Sequence, residues 1–412
     1  MATILAYTSP ALGHVYPITA LLQELRSRGH RVVVHTSAAA VSLSRAAGFE
    51  AAAVDPRIEQ VTLRDWTAAT PLGALKLTME VFGARGMLEV DDARHAIDEV
   101  EPDALIIDAN CWGAASVADA ADLPWTAFWP YPPFLRSRGV PPFGPGLAPW
   151  PGLAGRLRDA ALRPLTTGAL ERAMLSALTR VRSAAGATAV DSADEFVARA
   201  PLLLLASAEP FEYPHPDWPA TVHFIGPCDY DPAPAAAPTW LTDIDQPIVL
   251  VTNSTEYQND SALPVAAMQA LADHRVHVVA TFPSGVPRDA NPPPNATVAQ
   301  TAPHGLILDR AVCAITHGGM GSTQKALARG VPVCVVPYGR DQLEVARRVE
   351  VAQCGTRLPA RKLTVGRLRR AVDQALLMTD GAQRVAQGYA ATGGVTTGAA
   401  LIEDHLLGSR PA

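Results

Sequence analysis

Short runs of apolar residues, separated by polar or glycine-containing segments, recur along the 412-residue chain and predict buried β-strands. Segments with helical spacing fill the intervals between them; after the first run, apolar residues fall at i, i+3, i+4 and i+7 (Ile18, Leu21, Leu22 and Leu25). The predicted strands are residues 3–8, 31–36, 104–108, 125–129, 202–207, 223–226, 248–252, 276–281, 312–316 and 331–336. Further helices are predicted over residues 85–100, most of 153–200, 263–272, 323–329, 364–379 and 394–407. This alternation predicts an α/β fold with parallel sheets and right-handed crossovers.

A proline- and alanine-rich segment at residues 227–245 interrupts the alternation and predicts a linker between two domains. Both halves repeat the same pattern, which predicts two Rossmann-like domains with a cleft between them. The predicted boundaries are an N-terminal domain over 1–226, a linker over 227–246, a C-terminal domain over 247–393 and a closing helix over 394–412.

The charge balance of 34 basic and 40 acidic residues argues against nucleic acid as a partner. No apolar run reaches the roughly 18 residues that span a bilayer, and the N-terminus lacks a signal-peptide pattern. We therefore expect a cytoplasmic protein without an integral membrane segment, and its oligomeric state stays open. The five scattered cysteines predict reduced core thiols rather than disulfides or a metal site.

A glycine-rich loop lies between a predicted strand and a predicted helix in the second half. Its polar residues are His317 and Ser322, and Gly318, Gly319 and Gly321 allow close approach of a ligand to the backbone. Free backbone N–H groups and the helix dipole make such a helix N-terminus an anion site, most simply for phosphate. Glycines alone would favour an ordinary strand-to-helix turn over an anion site.

Three further elements follow this loop at fixed spacing: Gly330-Val331-Pro332, then Pro337, then Asp341-Gln342. The combination closely resembles the nucleotide-sugar motif of the UDP-glycosyltransferase superfamily, which reads His-x-Gly-x-x-Ser, Gly-Val-Pro, Pro and Asp-Gln. The resemblance covers nearly the whole chain. It implies the GT-B fold of that superfamily, two Rossmann-like domains with parallel sheets that face each other across a cleft.

The loop after the first strand carries the second part of the resemblance. It is not a GxGxxG loop, so a dinucleotide site is not indicated there. Gly13-His14-Val15-Tyr16-Pro17 instead matches the family's Gly-His-x-x-Pro element, which implies His14 as catalytic base; a histidine pKa near neutrality suits that role. The family pairs this histidine with an aspartate from a later strand end, and Asp108 is the best match. The alternative role for Asp108 is a helix N-cap.

The resemblance also implies a set of donor-binding residues in the second half, with His317 and its loop at the diphosphate. The other matched positions are Ser254 and Thr255 beside the phosphates, Pro303 and His304 near the nucleobase, and Asp341 and Gln342 at the sugar hydroxyls. The glycine that usually precedes the Ser-Thr pair is missing here, as is the aromatic residue that often precedes the Pro-His element.

The position eight residues after the loop histidine predicts the nucleotide. Members that use UDP-sugars commonly have a Glu there, which accepts hydrogen bonds from both ribose hydroxyls; here the residue is Lys325. A lysine ammonium only donates and cannot replace that contact, whereas deoxyribose has no 2′-hydroxyl. Lys325 therefore favours a dTDP-sugar over a UDP-sugar, unless its side chain simply points into solvent.

Residues 130–152 are rich in proline, glycine and aromatic residues and form either a disordered spacer or, as we expect, an ordered loop that lines an apolar ligand. The predicted acceptor-binding residues are Trp129, Tyr131, Phe134 and Phe143. They favour a bulky apolar acceptor, and the compact chain resembles the macrolide-type enzymes that glycosylate polyketides and other natural products.

Asp243-Ile244-Asp245 has the spacing of a metal-binding Asp-x-Asp motif, but it lies in the predicted linker and is interpreted as a solvated turn. The expected activity is therefore a metal-independent, inverting glycosyl transfer with a nucleotide sugar as co-substrate, a small-molecule aglycone as acceptor and no other cofactor. Two alternatives remain, a nucleotide-sugar epimerase of the same fold and a non-catalytic glycosyltransferase helper.

Overall fold

The computed structural model describes residues 1–232, 238–288 and 290–408. Within them, two parallel β-sheets carry helices on their faces, so the predicted α/β fold class is confirmed. Residues 233–237 of the predicted linker and residues 409–412 of the predicted closing segment lie outside the described residues.

The first sheet has seven strands, and every neighbouring pair is parallel. They are β1 (Thr3–Tyr7), β2 (Arg31–Thr36), β3 (Glu50–Ala53), β4 (Ala104–Asp108), β5 (Trp125–Trp129), β6 (Leu202–Leu205) and β7 (Val222–Phe224). Their order in the sheet is β3-β2-β1-β4-β5-β6-β7. Leu5 of β1 pairs with Val33 on one side and with Leu105 on the other, which places β1 in the interior of the sheet.

The helices of the first half are α1 (Leu12–Ser27), α2 (Ala38–Ala46), α3 (Pro56–Gln60), α4 (Pro71–Val100), α5 (Trp112–Ala120), α6 (Gly152–Leu162), α7 (Thr167–Ala185) and α8 (Ala193–Ala198). Helix α4 begins at Pro71, well before the predicted start at residue 85, with Thr70 as its N-cap and a proline at its first position. Glycines inside the helix serve packing. A Cβ at Gly83 would lie 2.5 Å from Cβ of Ala177 in α7, and one at Gly86 would lie 3.1 Å from the side chain of Val181. These glycines weaken helix propensity but allow α4 and α7 to approach closely.

The second sheet has six strands, again all parallel: β8 (Ile248–Thr252), β9 (His277–Thr281), β10 (Ala296–Ala299), β11 (Ala311–Thr316), β12 (Val333–Val335) and β13 (Gly355–Arg357). Their order is β10-β9-β8-β11-β12-β13. The helices are α9 (Thr239–Thr242), α10 (Ala262–Ala270), α11 (His304–Leu308), α12 (Met320–Leu327), α13 (Gln342–Val351), α14 (Val365–Ala375), α15 (Thr379–Ala391) and α16 (Gly394–Ile402). The single helix predicted over 364–379 is wrong, since α14 ends at Ala375 and α15 starts only at Thr379.

The C-terminal helix α16 returns to the first sheet. Its buried residues Ala399 and Ile402 belong to the same core cluster as Ile18 and Leu21 of α1, and a Cβ at Gly398 would lie 3.0 Å from the Leu21 side chain. A short π-helical turn, Glu403–Leu407, follows it. The end of the chain therefore stabilises the half of the molecule in which the chain began.

Direct contacts join the two halves at the carboxyl ends of their strands. The Arg340 guanidinium forms two hydrogen bonds with the Asp65 carboxylate, at 3.0 and 2.9 Å. Gln324 of α12 donates to the carbonyl of Ala206, just after β6, at 2.7 Å. These contacts hold the loops that follow the strands of one sheet against those of the other.

None of the described helices combines the length and the apolar character needed to cross a bilayer. All five cysteines are buried and free, as predicted.

Candidate active site

His14 lies in the first turn of α1, directly after the loop that follows β1, and Asp108 is the last residue of β4. Because β1 and β4 are neighbouring parallel strands, their carboxyl ends bring the two side chains together. Nδ1 of His14 lies 2.6 Å from Oδ2 of Asp108. The other Asp108 oxygen accepts from the backbone N–H of Asn110 at 3.0 Å. The side chain of Asp108 therefore does not cap α5, whose N-cap is Cys111.

Opposing effects set the protonation of His14. Burial lowers its pKa, but the charge of Asp108 and its hydrogen bond raise it, and the net shift is upward. The carboxylates of Glu256 and Asp341, both in the second half of the chain, also raise this pKa. The His14 side chain keeps 18% of its surface exposed. A base in this position is held by a buried carboxylate on one side and reaches the cleft on the other.

The second ring nitrogen of His14 faces a side-chain amide. Nε2 lies 3.3 Å from Nδ2 of Asn110, and Oδ1 of Asn110 accepts from the Tyr131 hydroxyl at 2.8 Å. The Tyr131 ring also packs edge-on to the imidazole, with ring centroids 5.6 Å apart. Asn110 is a functional candidate that the sequence reasoning missed, although it stands only two residues beyond Asp108.

In the second half, a glycine-rich loop joins β11 to the N-terminus of α12, as predicted, but α12 begins at Met320 rather than at residue 323, so Gly321 and Ser322 lie in its first turn. His317 is buried, and burial is the main cause that lowers its pKa to about 4, so the ring is neutral at pH 7. Nδ1 of His317 is buried without a hydrogen-bond partner among the described residues. Gly318 adopts a φ of +92°, and a Cβ at Gly319 would lie 2.4 Å from Nε2 of His317. Gly321 is exposed, and Ser322 donates to the carbonyl of Gly319 at 3.2 Å.

The loop after β8 is organised by Asp260, a buried residue that the sequence reasoning also missed. Its carboxylate accepts from the backbone N–H of Ser254 at 2.8 Å and from the side-chain amide of Asn253 at 3.0 Å. The neighbouring Thr255 is exposed and points across the cleft, where its hydroxyl would lie 3.8 Å from a Cβ at Gly13. The predicted phosphate loop therefore adjoins the loop that carries His14.

Asp341 and Gln342 begin α13, but their side chains have different surroundings. Oε1 of Gln342 accepts from the backbone N–H groups of Tyr338 and Gly339, and its Nε2 donates to Gln258 at 2.8 Å. Gln342 therefore shapes its own loop. The pKa of Asp341 is raised, mainly by burial, while the charge of His14 acts on it in the opposite direction. Asp341 is thus the member of this pair that lies within electrostatic reach of the candidate base.

Pro303 and His304 stand at the N-terminus of α11. Nε2 of His304 lies 3.0 Å from the Thr281 hydroxyl, and burial, followed by the charge of Lys325, lowers the pKa of His304 to about 4. Lys325 itself does not point into solvent, so that alternative is wrong. Its ammonium donates to the carbonyl of Tyr230 at 2.8 Å and pairs with the carboxylates of Asp229 and Asp231 at 3.1 and 3.3 Å.

The predicted acceptor residues form a continuous row of aromatic rings. Trp129 contacts both Tyr131 and Phe134 with ring centroids 5.3 Å apart, and Phe134 contacts Phe143 at 6.4 Å. Trp129 is only 3% exposed and belongs to the core, so it packs against the rings of Tyr131 and Phe134 rather than offering its own surface to a ligand. Two backbone N–H groups farther along this segment, those of Gly144 and Gly146, donate to the Glu344 carboxylate. The segment is therefore an ordered loop rather than a disordered spacer.

Asp243 and Asp245 are exposed residues next to the short helix α9. Among the described residues, no three or more His, Cys, Asp or Glu side chains form a group that could hold a metal ion.

Comparisons with known proteins agree with this geometry. Residues 265–394 match the family described as the erythromycin biosynthesis protein CIII-like C-terminal domain. The 4'-demethylrebeccamycin synthase of Lentzea aerocolonigenes is 32% identical over 98% of this chain and 99% of its own length. The demethyllactenocin mycarosyltransferase of Streptomyces fradiae is 26% identical over 98% of this chain and 87% of its own length.

Solved structures of similar fold extend over almost the entire chain. The calicheamicin glycosyltransferase CalG4 is 22% identical, covers 100% of both chains and superposes with a TM-score of 0.74. The glycosyltransferase VinC, whose crystal structure is a complex with dTDP, is 19% identical, covers 99% of this chain and 100% of its own, and has a TM-score of 0.73. Neither the epimerase nor the helper alternative is favoured by these similarities. The chain therefore belongs to the UDP-glycosyltransferase superfamily of GT-B fold, as one of its natural-product glycosyltransferases.

Proposed function

We propose that this enzyme transfers a sugar from a nucleotide diphosphate to a hydroxyl of a bulky apolar acceptor, with inversion at the anomeric carbon. The observation that carries the proposal is the 2.6 Å contact between His14 and Asp108, close to Glu256 and Asp341 of the other half, whose charges act on His14. One half of the cleft supplies a general base, and the other supplies a helix N-terminus suited to a diphosphate.

The reaction needs one proton transfer and one displacement. Nε2 of His14 takes the proton of the acceptor hydroxyl while Nδ1–H stays bonded to Asp108, which stabilises the imidazolium that forms. The acceptor oxygen forms its bond to the anomeric carbon as the bond from that carbon to the diphosphate oxygen breaks. The electron pair leaves with the diphosphate, and attack from the opposite face inverts the configuration.

The leaving diphosphate gains charge as it departs, and the N-terminus of α12 is placed to stabilise it. The buried Nδ1 of His317 has no hydrogen-bond partner among the described residues, which suits a ring that turns towards a bound phosphate. Backbone N–H groups and a neutral histidine perform this task without a metal ion, so we propose that catalysis is metal-independent.

The acceptor would lie along the row formed by Tyr131, Phe134 and Phe143, whose rings lead away from His14. Aromatic faces bind large apolar molecules through buried area and ring contacts. The relatives described above are, by their names, a synthase of 4'-demethylrebeccamycin and a mycarosyltransferase for demethyllactenocin. A polyketide or another bulky natural product is therefore the acceptor class that we propose.

The anomeric configuration of the product tests this proposal. With a dTDP-deoxysugar of defined anomeric configuration, an apolar hydroxylated acceptor and excess EDTA, we expect a glycoside of the opposite configuration by NMR. Retained configuration would contradict the displacement mechanism. Activity that is lost in EDTA and returns with Mg²⁺ would contradict metal independence and draw attention back to Asp243 and Asp245.

We further propose that the donor is a dTDP-sugar rather than a UDP-sugar. Lys325 stands where a ribose-binding Glu would, and its ammonium is engaged by Tyr230, Asp229 and Asp231. A lysine held in this way offers no acceptor to the 2′- and 3′-hydroxyls of a ribose. The VinC structure, of similar fold, contains dTDP.

Titration calorimetry with dTDP and UDP on one preparation measures this preference. We expect tighter binding of dTDP by a modest factor of roughly 2 to 13, the equivalent of one net hydrogen bond of about 0.5–1.5 kcal/mol. Lys325→Glu is the matched variant, and it should move the preference towards UDP. Tighter binding of UDP by the wild-type enzyme would contradict the assignment.

A further inference from the structure

The amide of Asn110 occupies the position at His14 where the acceptor hydroxyl would have to bind. Nδ1 of the ring is taken by Asp108, so Nε2 is the nitrogen that remains for a substrate. Nδ2 of Asn110 lies 3.3 Å from that Nε2 atom. The mechanism proposed above assigns no role to Asn110, although no other side chain in the described residues forms a hydrogen bond with Nε2.

The direction of this contact follows from its neighbours. The pKa of Tyr131 is raised well above its usual value, by burial first and then by the charge of Asp108, so its hydroxyl keeps its proton. That hydroxyl donates to Oδ1 of Asn110 at 2.8 Å, which turns the amide NH₂ towards His14. A carboxylate can only accept, so Nδ1 of His14 carries the proton that faces Asp108. Nε2 is then the acceptor, and Asn110 is the donor.

The charged groups around His14 act against this arrangement. Asp108 from β4, Glu256 from the loop after β8 and Asp341 before α13 each stabilise a protonated ring. The amide of Asn110 acts in the opposite direction, because a donor can bind Nε2 only while that atom carries no proton. Tyr131, the remaining titratable group at the ring, stays neutral and acts through Asn110.

We propose that Asn110, oriented by Tyr131, is a positioning residue that keeps Nε2 of His14 unprotonated and directed into the cleft until the acceptor replaces the amide. The inference rests on the proposed role of His14. Any acceptor that displaces the amide must itself donate a hydrogen bond to Nε2, so the site selects groups with an O–H or N–H bond. The displaced NH₂ group remains beside the incoming atom and helps to orient it.

The direct test is the protonation of His14 in the complete chain without substrates. Ring ¹⁵N signals of labelled histidines are titrated by NMR, and His14 is assigned by the signal that disappears in His14→Ala. In Asn110→Leu we expect the His14 pKa to rise by about half to one pH unit, the equivalent of one lost hydrogen bond. In Asn110→Asp the new carboxylate should raise it by roughly one to three units.

Two further variants keep the test decisive. Tyr131→Phe preserves the ring but frees the amide to turn its Oδ1 towards Nε2, where an acceptor stabilises the protonated ring, so this variant too should raise the His14 pKa. Asn295→Leu is the matched control, because Asn295 is a half-buried amide in the other domain that donates two hydrogen bonds, to Leu271 and Val276. It should leave the His14 pKa unchanged.

An unchanged His14 pKa in folded Asn110→Leu and Asn110→Asp would overturn the inference. The titration does not require turnover, so its result is separate from the proposed function. If the pKa shifts as expected and the acidic limb of kcat/KM shifts with it, both stand. If the His14 pKa shifts but the acidic limb of kcat/KM stays in place, the positioning role of Asn110 stands, and the assignment of His14 as the base of the reaction does not.

Discussion

At the scale of single residues, the His14–Asp108 pair decides how the enzyme responds to pH. Burial alone would lower the pKa of His14, but the effect of Asp108 at 2.6 Å prevails and raises it. A general base works only in its neutral form, so activity is lost as the pH falls through this raised pKa. We therefore expect the acidic limb of kcat/KM above pH 6.5, the ordinary histidine value.

Asp108→Asn should shift the acidic limb of the kcat/KM profile and also lower the value of kcat/KM at its high-pH plateau. Without the carboxylate, the His14 pKa falls, and the limb moves to lower pH by about one unit or more. The plateau falls because an amide no longer selects the tautomer that leaves Nε2 free. The measurement is a pH profile of kcat/KM for the acceptor. Asp243→Asn, the same change at an exposed position, is the control and should leave the profile unchanged. A limb that stays in place in Asp108→Asn would refute the electrostatic account.

The pair was predictable from sequence because each member ends or follows a clear apolar strand and matches a family motif. Asn110 and Asp260 were not, since neither lies in a periodic segment or a recognised motif. Their roles depend on partners brought together by folding. Tyr131 is one such partner of Asn110, and the backbone N–H of Ser254 donates to the carboxylate of Asp260.

At the scale of secondary-structure elements, the unit formed by β11, the glycine-rich loop and α12 determines the donor site. Gly319 lies against the ring of His317 so closely that any side chain would collide with it. Gly321, by contrast, has open space around its Cα. The two glycines therefore have different surroundings: Gly319, just before α12, packs against His317, and Gly321, in the first turn of α12, is exposed.

Gly319→Ala should weaken nucleotide binding by displacing His317. The added Cβ would lie 2.4 Å from Nε2, a distance at which the ring must move. We expect the Kd for dTDP to rise by roughly tenfold or more, because the displaced His317 would lose at least one charge-assisted hydrogen bond to the diphosphate, worth about 1.5–3 kcal/mol. Calorimetry provides the measurement, with Gly366→Ala as the control because nothing lies within 4 Å of a Cβ there. Equal affinity in Gly319→Ala and wild type would contradict the role of His317 in the donor site.

The long apolar strands were predictable because both of their faces are buried. Several shorter elements were missed: β3 (Glu50–Ala53), β10 (Ala296–Ala299), β13 (Gly355–Arg357) and helix α13 (Gln342–Val351). The missed strands consist largely of alanine, glycine and threonine, and three or four such residues carry little pattern. They are strands because they continue a sheet that the longer strands have already formed.

At the scale of the whole molecule, the two sheets form one site because their loops are held together. Arg340, the neighbour of Asp341 in the second half, donates two hydrogen bonds to the carboxylate of Asp65 in the first half, 275 residues away in sequence. The Glu344 carboxylate of α13 accepts hydrogen bonds from the backbone N–H groups of Gly144 and Gly146. These bonds hold the loop that carries Phe134 and Phe143 against the second half of the chain. Contacts across such sequence distances leave no local pattern, so the cleft was predictable from the family resemblance but its contacts were not.

The central claim is that His14 supplies the base while the other half of the cleft binds the nucleotide independently. The most direct test compares kcat and the Kd for dTDP in wild type and His14→Ala, with a hydroxyl acceptor of high pKa. We predict that kcat falls by about two to four orders of magnitude, the usual contribution of a general base, while the Kd stays within a few-fold. Equal turnover in the two proteins would contradict the account.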